Sequence, residues 1–189
     1  HIGSGKYFVI EGDEYDTAFF DKGPKFLHYN PKHVILTSLE FDHADIYTDL
    51  AHIQSSFTKL MNIIPESGSL HYCGEYDSMR SVVNQALCPK QSYGFENSEF
   101  QIKNFSESNS GSHFEIWQGN KKWIELDSTL SGKHNALNLS ACFSVLKTIK
   151  LDLNLAKNSM KDFQGIKRRQ EILFEDQNLI VMDDFAHHP

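Results

Sequence analysis

Residues 33–65 read HVILTSLEFDHADIYTDLAHIQSSFTKLMNIIP, and this stretch decides the fold class. It opens on a short run of strand formers (residues 33–37) and passes through the polar string Glu40-Phe41-Asp42-His43-Ala44-Asp45. It then becomes an amphipathic helix: Leu50, Ile53, Phe57, Leu60, Met61 and Ile64 recur at spacings of three and four, and Pro65 stops the pattern. Upstream, residues 6–11 (KYFVIE) repeat the design, a buried-type strand running into the acidic loop Glu11-Gly12-Asp13-Glu14-Tyr15-Asp16. Strand, polar loop, strand, polar loop and helix predict an α/β fold with a mainly parallel sheet.

Working outward, residues 66–130 have a different texture. Short alternating runs at 69–73, 99–105, 113–117 and 121–126 are separated by Gly, Asn and Ser, which predicts a smaller antiparallel part with no chemistry of its own. A helix begins again at GKHNALN (residues 132–138), with Leu139, Cys142, Phe143, Leu146 and Ile149 as its expected buried face. A shorter helix over 155–163 leads to Gly165-Ile166-Lys167-Arg168-Arg169. A hairpin of 172–175 and 179–182 follows, so a domain boundary is expected near Lys167.

Composition narrows the function classes. Of 189 residues, 40% are hydrophobic, with 14 Phe, 7 Tyr and 2 Trp, enough to offset ordering entropy in one domain or one domain plus part of another. No apolar run approaches the roughly 20 residues of a bilayer span. The net charge of −7 offers no basic field for nucleic acid or anionic lipid. Three cysteines (Cys73, Cys88, Cys142), odd in number and without a CxxC pair, fit a reducing cytoplasmic compartment. The chain starts at His1 and stops at Pro189 within a dense polar string, so a piece of a longer protein is expected.

Several groups of residues carry possible chemistry. Glu11, Asp13, Glu14, Asp16, Asp42, His43 and Asp45 sit at the C-terminal ends of the two apolar strands, where open α/β sheets bind ligands. They form either solvated loops or a site for a divalent cation, with Mg²⁺, Mn²⁺ and Zn²⁺ all open on composition. Asn135 and Asn138 share a face of a helix's first turn, as caps or as amides for an adenine edge. Arg168 and Arg169 are either a surface pair or a phosphate fork. Asp183 and Asp184 could accept from ribose hydroxyls, whereas His187 and His188, adjacent in an extended segment, point opposite ways and predict no metal. No GxxxxGK[ST], GxGxxG or GxSxG motif is present.

Five strings in order, FVIEGDEYDTAFFDK (8–22), LEFDHADIY (39–47), GKHNALN (132–138), RRQE (168–171) and DDFAHHP (183–189), resemble the Mur ligases. The resemblance runs through nearly the whole chain and is weakest over 66–130. It implies a central ATPase domain, incomplete at its N-terminus, over residues 1–167, and the start of a C-terminal Rossmann-like ligase domain over 168–189. The family's phosphate loop would then lie upstream, and these 189 residues alone would be inactive. Residue by residue, the resemblance implies Glu11 as ligand of a Mg²⁺ bridging the ATP phosphates and His43 as ligand of a second metal. It puts His134, Asn135 and Asn138 by the adenine, Arg169 on the phosphates and Asp184 on the ribose. Ser38 departs from the family, which usually has Asn there, and no lysine matches the carbamylated one of several members.

The first two strings favour the branch that joins an L-Ala-γ-D-Glu-meso-diaminopimelate tripeptide to UDP-N-acetylmuramate over the L-alanine-adding branch. The implied reaction activates the lactyl carboxylate with ATP as an acyl phosphate, which the amine then attacks. The two remaining alternatives are the L-alanine-adding ligase and a non-catalytic nucleotide-binding or scaffold fragment.

Overall fold

The computed structural model describes residues 3–41, 46–161, 163, 165–169 and 171–185. They divide into two compact units.

The first unit comprises His1–Val34, Leu39–Leu70 and Ser78–Pro89. It contains a small hairpin of β1 (Asp16–Ala18) and β2 (Asp21–Pro24), a 3-10 turn at Lys25–His28, α1 (Leu50–Ile63) and the single turn α2 (Arg80–Val83). Helix α1 forms where the spacing predicts. Asp49 caps it by accepting the His52 N–H at 2.8 Å, and Ile64, forced extended by the proline that follows, ends it. Ile53, Leu60, Met61 and Ile64 are buried, each contributing about 2 kcal/mol of apolar transfer. The Phe57 ring lies 5.3 Å from that of Phe26, so the helix is fastened to the segment that follows the hairpin.

The second unit comprises Ile35–Ser38, His71–Asp77 and Lys90–Pro189. Most of a six-stranded sheet belongs to it: β3 (His33–Leu36), β4 (Ser69–Cys73), β5 (Lys90–Gly94), β6 (Phe100–Ser108), β7 (Gly111–Gln118) and β8 (Lys121–Ser128), neighbours in that order. Strands β5 and β6 pair in parallel through Tyr93↔Phe100 and Gly94↔Gln101. The β6–β7–β8 part is an antiparallel meander. Alternation is clear on β7: Phe114 and Ile116 are buried, while His113, Glu115 and Trp117 take the other face. Gly111 opens this strand at φ +123°, where an added Cβ would strike the Ser128 backbone carbonyl, so only glycine fits.

Helix α3 (Lys133–Thr148) packs on β5, β6 and β7. Its buried face corrects the expectation. Of Leu139, Cys142, Phe143, Leu146 and Ile149, only Phe143 is buried; Cys142 is exposed. Ala136, Ser140, Ala141 and Ser144 are the other residues turned inward. Small side chains let the helix approach the sheet closely, and the serines satisfy their hydroxyls locally. Ser140 donates to the Ala136 carbonyl at 2.8 Å, and Ser144 to the Ala141 carbonyl at 2.8 Å. The buried His71 of β4 meets the Ser144 hydroxyl at 2.8 Å.

Helix α4 (Leu153–Met160) starts two residues before the predicted position because Asp152 caps it, accepting the amides of Asn154 and Leu155 at 2.8 and 3.3 Å. Asp152→Ala is expected to remove about 1 kcal/mol, read as a fall of about 2–4 °C in the calorimetric midpoint. The hairpin of β9 (Glu171–Glu175) and β10 (Ile180–Asp183) is antiparallel, as the sequence predicts.

A second correction concerns residues 6–11. They form no strand, and Phe8 and Val9 are 72% and 92% exposed. Strand-forming composition is permissive only. A strand needs a neighbour to take its N–H and C=O groups, and none of the described residues pairs with this run.

Candidate functional site

The acidic loop of the first unit is ordered by its own carboxylates. Asp13 accepts the Tyr15 amide at 2.8 Å through one oxygen and binds Lys25 Nζ at 2.7 Å through the other. That hydrogen bond holds the Lys25 ammonium above its ordinary pKa. Asp16 pairs with Lys22 at 2.9 Å. Tyr47, buried at the end of the LEFDHADIY string, donates its hydroxyl to the Glu14 carbonyl at 2.8 Å. Burial raises the Tyr47 phenol, which keeps it a donor at neutral pH. Two of the five strings are therefore tied together by one hydrogen bond.

Glu11 differs from Asp13 and Asp16. It is exposed, and among the described residues its carboxylate enters no hydrogen bond or ion pair. A single uncommitted carboxylate fits Mg²⁺, which commonly takes one or two protein oxygens and completes its shell with water and phosphate. Among the described residues no group of three or more His, Cys, Asp or Glu is arranged to hold a metal by itself. Asp42, His43 and Asp45, like His187 and His188, lie outside the described residues.

In the second unit, the GKHN string forms the first turn of α3, as its spacing predicts. Gly132 is the N-cap at φ +96°, and a Cβ there would run into the His134 ring. Its amide donates to the Glu107 carboxylate. The half-buried Asn135 donates from Nδ2 to the Ser131 carbonyl at 2.7 Å, while His134 and Asn138 are exposed on the same turn. The Lys133 ammonium sits 5.4 Å from the centre of the Phe95 ring. Glu107 lies in the stretch that shows no chemistry in the sequence. Only the sheet register brings β6 to the start of α3, and no local pattern reports that.

The hairpin end collects the remaining residues. Arg169 Nη1 donates to the Phe185 carbonyl at 3.4 Å, and the Phe185 amide donates to the Arg168 carbonyl at 2.8 Å. The Arg168 guanidinium lies 4.8 Å from the Phe185 ring centre and 3.7 Å from Asp183. These contacts bring Arg169 beside the segment that carries Asp184, and both residues are exposed. Arg168 is thus taken up in holding the turn, while most of the Arg169 fork faces solvent.

The model of the Mur ligase middle domain matches residues 3–146. The chain belongs to the Mur ligase family. It is 35% identical, over all of its length and 41% of the relative's, to the UDP-N-acetylmuramate–L-alanyl-γ-D-glutamyl-meso-2,6-diaminoheptandioate ligase of Haemophilus influenzae. It is 32% identical to the UDP-N-acetylmuramate–L-alanine ligase of Clostridium kluyveri, again over the whole chain and 40% of that relative. The crystal structure of a murein peptide ligase from Psychrobacter arcticus superposes with a TM-score of 0.73 at 34% identity, covering 97% of this chain and 38% of that one. The chain therefore spans about two fifths of the length of the Mur ligases it matches. Among the described residues no helix is long and apolar enough to cross a membrane.

Proposed function

We propose that the full-length protein carrying this chain is an ATP-dependent amide ligase of the cytoplasm. It would join L-Ala-γ-D-Glu-meso-diaminopimelate to UDP-N-acetylmuramate through an acyl phosphate, in the recycling of cell-wall peptides. The observation that carries this reading is the 35% identity, along the whole chain, to a ligase bearing that name. The site agrees in its chemistry. Glu11 supplies an uncommitted carboxylate for Mg²⁺, and Asn135 and Asn138 present amides for the adenine, with His134 beside them. Arg169 offers a solvent-facing fork for phosphate oxygens, and Asp184 an acceptor for the ribose. A bound Mg²⁺ supplies charge neutralisation where a phosphate and a carboxylate must meet. Residues 168–189 are read as the beginning of the next domain.

The test is ADP release by the full-length protein with UDP-N-acetylmuramate, ATP and Mg²⁺, offering either the tripeptide or L-alanine. Turnover with the tripeptide alone is expected. Turnover with L-alanine alone would assign the protein to the L-alanine-adding branch, which the 32% identity to the Clostridium enzyme keeps in play. Silence with both would favour a non-catalytic nucleotide-binding or scaffold role.

A further inference from the structure

The Ser131–Gly132 peptide is held at both ends. Its N–H donates to the Glu107 carboxylate of β6, a residue 25 positions away in the chain. Its C=O accepts the Asn135 Nδ2–H at 2.7 Å. Gly132 in turn offers its own carbonyl to the amides of Asn135 and Ala136 at 3.0 and 3.2 Å. No side chain of the N-cap residue closes this turn. One carboxylate on the sheet therefore sets the peptide from which the Asn135 amide hangs.

We propose that Glu107 is a positioning residue for recognition of the nucleotide base. By fixing the Ser131–Gly132 peptide, it holds the Asn135 amide in the rotamer that faces a purine edge. This rests on the reading of Asn135 as an adenine-facing residue. An Asn side chain has two N–H donors and one carbonyl acceptor. Ser131 takes one N–H, leaving one donor and the acceptor, the complement of adenine N7 and N6. A carboxylate suits the far end of the relay for three reasons. Its bond to an N–H is charge-assisted. It polarises the peptide so that the Ser131 carbonyl accepts more strongly from Asn135. Its negative charge also stands at the N-terminus of α3, where that sign is favourable.

The test uses the full-length protein and calorimetric titration with ATP and with ITP, whose base carries an oxygen in place of the N6 amino group. Asn135→Ala is expected to lower the preference for ATP over ITP. Glu107→Ala is expected to weaken ATP binding about tenfold and to lower that preference in parallel. Glu107→Lys, similar in reach but presenting a donor to a donor, must show the same loss. Glu107→Gln keeps an acceptor oxygen and should stay within about threefold of the wild type. Melting temperatures within about 4 °C of wild type are expected throughout, since Glu107 is exposed and the loss of one bond at a helix start costs about 1 kcal/mol. Unchanged preference in Glu107→Ala and Glu107→Lys, with loss in Asn135→Ala, would overturn the positioning role and leave the nucleotide site standing. A Gln variant as impaired as the Ala variant would overturn it too. Unchanged ATP binding and preference in Asn135→Ala would overturn the adenine assignment itself, and the positioning role with it.

Discussion

Glu11→Ala in the full-length protein is expected to lower ligation by roughly a thousandfold while leaving the fold intact. Both halves follow from the contrast within one loop. Asp13 is bound to Lys25 and to the Tyr15 amide, and Asp16 to Lys22, so their carboxylates are spent on local order. Glu11 is exposed and has no such partner among the described residues. Removing it should therefore shift stability by no more than about 0.5 kcal/mol, as for other surface positions. What it would remove is a hard anionic oxygen, which the committed carboxylates of Asp13 and Asp16 are not placed to replace. Glu11→Gln separates charge from size: the amide keeps the shape and binds Mg²⁺ poorly, so it should be nearly as inactive as the alanine variant. The measurement is ADP release against Mg²⁺ concentration, with circular dichroism as the control on folding. Ligation within tenfold of the wild type in both variants would remove Glu11 from the metal site.

Local patterns made much of the fold legible. The 3.6-residue stripe from Leu50 to Ile64 together with Pro65 locates α1 to within a residue, and the run 69–73 is β4. On the buried face of α3 the same reasoning found only Phe143, because it sought large apolar residues there. The helix otherwise turns alanines and serines inward, and the polarity of Ser140 and Ser144 disappears into bonds with their own helix and with His71. It failed on residues 6–11, where composition marked a strand that has no partner among the described residues. The β1–β2 hairpin was hidden by its charge and its Gly23-Pro24 end, and β5 by its polar sequence Lys90-Gln91-Ser92. The candidate site divides along the same line. Gly132, Asn135 and Arg169 sit in recognisable strings, whereas Glu107 lies outside all five and meets the Gly132 amide only in the folded chain; Tyr47 is within one, but its bond to the Glu14 carbonyl is likewise a product of the fold.

Phe114→Ala should be the most damaging core substitution, costing about 3–5 kcal/mol. Phe114 lies on β7, the central strand of the meander, and is fully buried. It stands opposite Leu126 on β8, and its ring centre is 6.5 Å from that of Phe105 on β6. The cost of such a truncation depends on whether neighbours can collapse into the space. Here they are poorly equipped to do so. Besides the buried Phe143, the helix that packs on this sheet turns only Ala136, Ser140, Ala141 and Ser144 inward, side chains too short to reach across. The backbone at the start of β7 is also fixed, since Gly111 already abuts the Ser128 carbonyl. A loss of that size is a large fraction of the roughly 5–15 kcal/mol that domains have, and should lower the melting temperature by about 10 °C. Leu87→Ala is the matched control: Leu87 is equally apolar but 76% exposed, so its loss should stay within about 0.5 kcal/mol. Urea unfolding of both variants in the purified protein measures the difference. A Phe114→Ala cost below about 1 kcal/mol would mean that the cavity closes; the small-residue face of α3 would then be yielding rather than rigid.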